Sequence, residues 1–101
     1  MGEFEYLVLA IAKRLEDDAY GAAICVELTR VTGRRCSLGA LYTTIDRLER
    51  KGFIKTWMSE PTPTRGGRSK RMVRVTNSGA AAAKTFYQSV RGATLGLRWE
   101  H

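Results

Sequence analysis

The chain has a single histidine, the terminal His101, and only two cysteines, Cys25 and Cys36, eleven positions apart. No further ligand stands at zinc-site spacing, so a metal centre or a Cys/His nucleophile pair has no basis here. The two cysteines are expected to be reduced, partly buried thiols, because free cysteine is among the most buried residue types. The alternative is a redox switch, which requires an exposed thiolate of low pKa; Arg34-Arg35 ahead of Cys36 would favour one. Long apolar runs are also missing, and none approaches the ~18 residues of a membrane span. The start, Met1-Gly2-Glu3-Phe4-Glu5, is acidic where a signal peptide is basic, which points to a cytoplasmic protein. Internal repeats and linkers are absent, so the 101 residues read as a single compact domain overall.

Acid is missing from one whole region. Residues 1–33 carry six acids (Glu3, Glu5, Glu16, Asp17, Asp18, Glu27) and three bases. Residues 61–98 carry eight bases (Arg65, Arg68, Lys70, Arg71, Arg74, Lys84, Arg91, Arg98) and no acid. The net charge of +7 is therefore concentrated in the second half, the electrostatic footprint of a polyanion binder. With 44% apolar residues the chain is expected to fold rather than remain disordered.

The apolar pattern supplies the elements. Phe4, Leu7, Val8, Ile11, Ala12 and Leu15 form a helical stripe, with Glu3 and Glu5 at its start and Lys13-Arg14 at its end to suit the helix dipole. Asp17-Asp18 make a turn, and either is a candidate cap for a second helix from Ala19 or Tyr20 to Thr32. Gly33 stops that helix, and Arg34-Arg35-Cys36 is a short connector or a one-rung strand. Ser37 caps a third helix whose buried stripe is expected to be Leu38, Leu41, Tyr42, Ile45 and Leu48, with Gly39, Ala40, Thr43, Thr44 and Arg47 opposite and Gly52 as the stop. Strands are expected from Phe53 to Glu60 and from Ser69 to Thr76. Thr76 or Asn77 caps a last helix containing Ala80-Ala81-Ala82-Ala83.

The order helix, helix, helix, strand, loop, strand, helix is mainly α with a small β-hairpin. It fits a winged helix-turn-helix, with residues 1–77 as the DNA-binding part and the last helix in 78–101. In that scheme the third helix enters the major groove of duplex DNA. Ser37, Gly39 and Ala40 allow close approach, and Tyr42, Thr43, Thr44 and Arg47 meet phosphates or base edges. Arg65, Gly66, Gly67, Arg68, Lys70 and Arg71 form the wing, laid along phosphates or entering the minor groove. The glycine pair is no nucleotide P-loop, since the Lys-Ser/Thr that such a loop needs is missing. Asp46 and Glu49 have basic neighbours in Arg47, Arg50 and Lys51 and read as surface pairs rather than an acid/base couple. No nucleophile, base and orienting group converge, so an enzyme is not expected, nor any cofactor.

Six strings carry a resemblance: Glu5-Tyr6-Leu7-Val8-Leu9, Asp18-Ala19-Tyr20-Gly21, Ser37-Leu38-Gly39-Ala40-Leu41-Tyr42, Arg47-Leu48-Glu49-Arg50-Lys51-Gly52-Phe53-Ile54, Gly66-Gly67-Arg68-Ser69-Lys70-Arg71, and Val75-Thr76 to Gly79. Over roughly residues 4–79 the chain resembles the PadR family of bacterial winged-helix transcriptional regulators. The resemblance implies a homodimer on a palindromic operator, usually repressing. It maps the dimer interface to the first and last helices, which makes 78–101 a C-terminal dimerisation helix, with Phe4, Phe86, Tyr87, Val90, Leu95, Leu97 and Trp99 as contacts. It also implies a possible small aromatic or drug-like inducer bound near that interface, where Trp99 is a candidate lining residue. A ligand sensor and a winged-helix protein-interaction module are the alternatives to a repressor.

Overall fold

A computed structural model of the chain describes residues 1–61 and 69–99. Three helices come first: α1 (Glu3–Leu15), α2 (Gly21–Thr32) and α3 (Leu38–Arg50). An antiparallel hairpin follows, β1 (Ile54–Met58) and β2 (Arg71–Val75), and then α4 (Asn77–Thr94). The strands pair Ile54 with Val75 and Met58 with Arg71 at the two ends of the register. Both strands are shorter than the alternation suggested. The expected wing tip, Arg65, Gly66, Gly67 and Arg68, lies outside the described residues.

The stop and start residues act as their chemistry requires. Gly33 ends α2 at φ +71°, a left-handed conformation that glycine adopts without a Cβ penalty, and its N–H donates to Thr29 O. The Ser37 side chain accepts from Ala40 N at 3.3 Å to open α3, and Thr76 accepts from Gly79 N at 3.0 Å to open α4. Neither Asp17 nor Asp18 caps α2; they lie in a 3₁₀ turn, Glu16–Asp18, and the N-cap is Tyr20.

The one-rung strand is not at residues 34–36. It is at Tyr20, which bridges to Met72, while Val73 N donates to Ala19 O at 2.9 Å. The reason is satisfaction of backbone groups. The hairpin offers its outer edge on β2, and the extended residues between the 3₁₀ turn and α2 supply the complementary donors and acceptors.

The core is built where α1, α2 and α3 meet under the hairpin. Val8, Ile24, Leu41, Ile45 and Leu48 are fully buried, and Ile54 and Val73 close it from the strands. Leu9 joins the core although it lies off the expected α1 stripe, whereas Phe4 is exposed. Thr44 is buried at 6% exposure and Leu38 is exposed at 46%, the reverse of the expected arrangement on α3. The 41–44–45–48 spacing makes one continuous face, and Leu38, the first residue of α3, lines an open surface hollow beside Cys25 and Thr29 of α2 instead of being covered.

The expectation of two free thiols is overturned: Cys25 and Cys36 are joined by a disulfide. Gly33 reverses the chain beside α2, which brings the two Cα atoms to 5.3 Å, within the range that a disulfide spans. Among the described residues no helix is long and apolar enough to cross a membrane.

The entry into α4 is fixed by a close approach. Phe53 O accepts from Thr76 N at 3.0 Å, and the Thr76 hydroxyl donates to Gly52 O at 2.7 Å. Gly79 packs directly on the Phe53 carbonyl, and a Cβ there would overlap that backbone oxygen. Gly79→Ala is expected to destabilise the fold by about 2 kcal/mol or more, because a strand end or the α4 axis must shift; urea unfolding midpoints measure it.

Glu5 ties α1 to the far end of α3. It is buried at 8% exposure, and one of its oxygens accepts from Lys51 Nζ at 2.9 Å and the other from Gly2 N at 3.3 Å. The hydrogen bond from Lys51 outweighs the burial cost and holds its carboxyl below the usual carboxylate range. A depressed folded pKa contributes stability above the unfolded value and loses it as pH falls through the folded value. The melting-temperature advantage of the wild type over Glu5→Gln should therefore be full near neutrality and shrink on acidification below about pH 4.3. Its size should stay under about 1 kcal/mol, since Lys51 is well solvated.

Candidate nucleic-acid interface

The exposed side of α3 is a continuous strip of small and polar residues. Ser37, Gly39, Ala40, Thr43 and Arg47 are all exposed. A Cβ on Gly39 would have only the Ser37 hydroxyl near it, at 3.8 Å, so the backbone here lies open to an incoming surface. The Thr43 hydroxyl donates to Gly39 O at 3.0 Å, which leaves its lone pairs outward. Thr44, expected on this strip, is in the core instead and has no path to a ligand on this face. Leu38, expected inside, adds an apolar side chain to the strip that suits contact with a methyl group.

Tyr42 lies at the edge of the strip, partly covered. Its ring leans on Gly21 so closely that a Cβ at that position would strike the ring. The glycine lets the start of α2 fit beneath the tyrosine. Beside it, the Lys70 ammonium sits 4.3 Å from the centre of the Tyr20 ring. Tyr20 and Gly21 thus lie between the α3 strip and the base of the hairpin and make one surface of the two.

The hairpin neck is closed by Ser59 and Lys70. Ser59 N donates to Lys70 O and Lys70 N donates to the Ser59 hydroxyl, each at 2.8 Å. On β2, Arg71 turns back toward α3: its guanidinium reaches Asp46 at 2.8 Å and Glu49 at 3.4 Å. Glu49 also accepts from Thr56 N at 3.1 Å and from the Thr56 hydroxyl at 2.5 Å. Arg71 is only partly exposed. Nothing in the local sequence marks this clamp, because its partners stand more than twenty positions apart.

Of the residues assigned to a dimer interface, Phe86, Tyr87 and Val90 lie on α4, while Leu95, Leu97 and Trp99 follow it, because the helix ends at Thr94 and is shorter than the expected 78–101. Tyr87, Val90, Leu95, Leu97 and Trp99 are exposed at 46–77%, and Phe4 on α1 at 38%. Phe86 is half-buried, stacked on Tyr6 at 4.8 Å between ring centres. Gly79 is the single buried residue of α4. A cleft of about 540 Å³ runs between α1 and α4, with Tyr6 and Tyr87 on its walls and Lys13, Arg14 and Lys84 around its mouth. Trp99 does not line it.

Comparison with known proteins agrees with this layout. The model of the transcriptional regulator PadR-like family matches residues 8–85. A PadR family transcription regulator from Clostridium difficile is 27% identical and covers 94% of this chain and all of its own, with a TM-score of 0.66. A PadR-like transcription factor from Bacteroides fragilis is 18% identical over 90% of this chain and 82% of its own, with a TM-score of 0.75. A transcriptional regulator from Clostridium thermocellum is 22% identical over 89% of this chain and 82% of its own, with a TM-score of 0.74. Among curated proteins no significant match is found. The family match spans well over half of the chain and covers both the α3 strip and the hairpin, and the chain belongs to the PadR-like family of transcriptional regulators.

Proposed function

We propose that the protein is a cytoplasmic, homodimeric repressor that binds a palindromic operator in duplex DNA. The α3 strip enters the major groove, and the hairpin lies along the neighbouring backbone. The observation that carries this reading is the continuity of the α3 strip with the basic hairpin through Tyr20, Gly21 and Lys70. The apolar outer side of α4 supports the dimer, because contiguous exposed apolar surface of this extent marks an association site. On this reading residues 1–77 bind DNA and 78–101 bring two copies together. Arg47 and Thr43 read or position bases, while Arg65, Arg68 and Lys70 hold phosphates.

Arg71 has a different role on this reading. Its ion pairs place it as a positioning residue that holds the wing against α3 and neutralises two carboxylates beside a phosphate-binding surface.

A second reading is favoured by the α1–α4 cleft. Two tyrosines and three cationic side chains there fit a small anionic aromatic compound whose binding would alter the dimer and release DNA.

Selection of duplexes from a random library tests the main reading. An inverted repeat with half-sites about one helical turn (~34–36 Å) apart is expected; binding without any recovered motif would overturn it. In sedimentation, Val90→Glu or Trp99→Ala should convert a dimer to monomer and weaken operator binding. Arg71→Ala should weaken binding in the wild type yet cost little in an Asp46→Asn/Glu49→Gln background. A phosphate-contacting Arg71 would instead cost the same in both and lower the salt slope by about one counterion.

A further inference from the structure

The Cys25–Cys36 pair is a reactive feature that DNA binding leaves unused. Cys25 lies in the second turn of α2 at 7% exposure. Cys36 is half-buried and stands immediately before Ser37, the cap of α3. The disulfide therefore fastens the turn that sets where the recognition helix begins. A hydrogen-bonded tie spans the same gap: the Thr29 hydroxyl donates to Cys25 O at 3.0 Å and accepts from Cys36 N at 3.2 Å. A protein that acts on DNA in the cytoplasm works among small thiols that keep most cysteines reduced. A disulfide in this place is one that forms and breaks rather than a permanent staple.

We propose that Cys25–Cys36 is a reversible thiol–disulfide site, served by low-molecular-weight thiols and their disulfides, whose oxidised form preorganises the turn and α3 for DNA. The inference rests on the DNA-binding reading above. In the reducing direction a small thiolate attacks Cys36 Sγ, the more accessible sulfur. The Cys25–Cys36 bond breaks, Cys25 leaves as a thiolate and takes up a proton, and a mixed disulfide forms at Cys36. A second small thiolate attacks the small-molecule sulfur, and the Cys36 thiolate departs. The net change is one protein disulfide and two thiols becoming two protein thiols and one small disulfide. Oxidation is the reverse, begun by a Cys36 thiolate flanked by the cations of Arg34 and Arg35.

The core around the bond has other members. Ile24, Leu28, Leu41 and Ile45 are buried in the same cluster as Cys25, and this apolar contact is expected to keep α2 and α3 packed after reduction. Reduction leaves residues 33–37 to non-covalent ties, chiefly Thr29 to Cys36 N, the Thr32 hydroxyl to Arg34 N and the exposed Arg34–Glu3 pair, so the N-terminal end of α3 gains freedom that DNA binding must then remove. The expected consequence is a loss of affinity on the order of tenfold rather than unfolding.

The test uses the full chain equilibrated in glutathione buffers of graded oxidised-to-reduced ratio. Free thiols are counted, and affinity for a duplex is read by anisotropy. Affinity should fall about tenfold in step with the appearance of two thiols. Cys25→Ser/Cys36→Ser should bind like the reduced protein and ignore the buffer. Thr29→Val should widen the difference between the two states, leaving the oxidised protein little changed. Equal affinity of the two states, each verified by thiol count, would overturn the proposal, as would a protein whose thiols stay free in oxidised glutathione. If the oxidised protein binds no duplex even at low salt, the DNA-binding reading fails instead. The proposal then stands only if reduction, verified by thiol count, speeds amide exchange at residues 33–37; unchanged exchange overturns it.

Discussion

The division of α3 into two faces is the constraint from which the rest of the molecule follows. Leu41, Ile45 and Leu48 have no exposed surface, and Thr44 joins them inside. Residues at that spacing cover less than half of a helix circumference. The positions between them, Gly39, Ala40, Thr43 and Arg47, are therefore forced outward together. α1 and α2 form the socket that sets the angle of the helix, and burial of the stripe costs nothing in function because the working face never enters the core. Truncation of one of these side chains would disturb the fold and the exposed strip at once, since both are read from the same helix rotation.

Charge is arranged around that helix so that its acids do not oppose its use. Asp46 and Glu49 would repel a polyanion if left alone beside Arg47 and Arg50. Arg71 from β2 meets both, and Glu49 further accepts two bonds from Thr56. Two carboxylates become the fastening between α3 and the hairpin. Just past Glu49, at the C-cap of α3, Lys51 meets Glu5 of α1. Arg47 on the outer strip and Lys70 at the hairpin neck are exposed on the side where a phosphate backbone would lie.

α4 obeys a different logic. It is anchored at its first turn, where Gly79 sits against the Phe53 carbonyl, and by the stacking of Phe86 on Tyr6. Beyond that turn Ala83 still packs against the core, while Tyr87 and Val90 are exposed. Its long exposed stretch gives the molecule an elongated outline of 53 × 31 × 21 Å. An 18-residue helix with so little of itself buried has limited support from this chain's own core, which is why its far half is proposed as an association surface.

Much was legible in the sequence because it depends on nearest neighbours. The stops at Gly33 and Gly52, the caps at Ser37 and Thr76, the helical periods and the position of the hairpin follow from backbone conformation and local hydrogen bonding, and each needs only a few adjacent residues. The α3 strip was legible for the same reason, apart from its edges. Leu38 and Thr44 exchanged places because periodicity tells which residues share a face but not how far the neighbouring helices extend over it. The rung at Tyr20, the pairing of Arg71 with two acids of α3, and the closure of Cys25 on Cys36 could not be read along the chain. Each joins residues brought together only when the helices pack and the chain reverses at Gly33. The sequence by itself determined the elements and the kind of surface each presents; the tertiary structure alone decided which of those surfaces meet, because contact between distant residues is set by packing geometry and not by local preference.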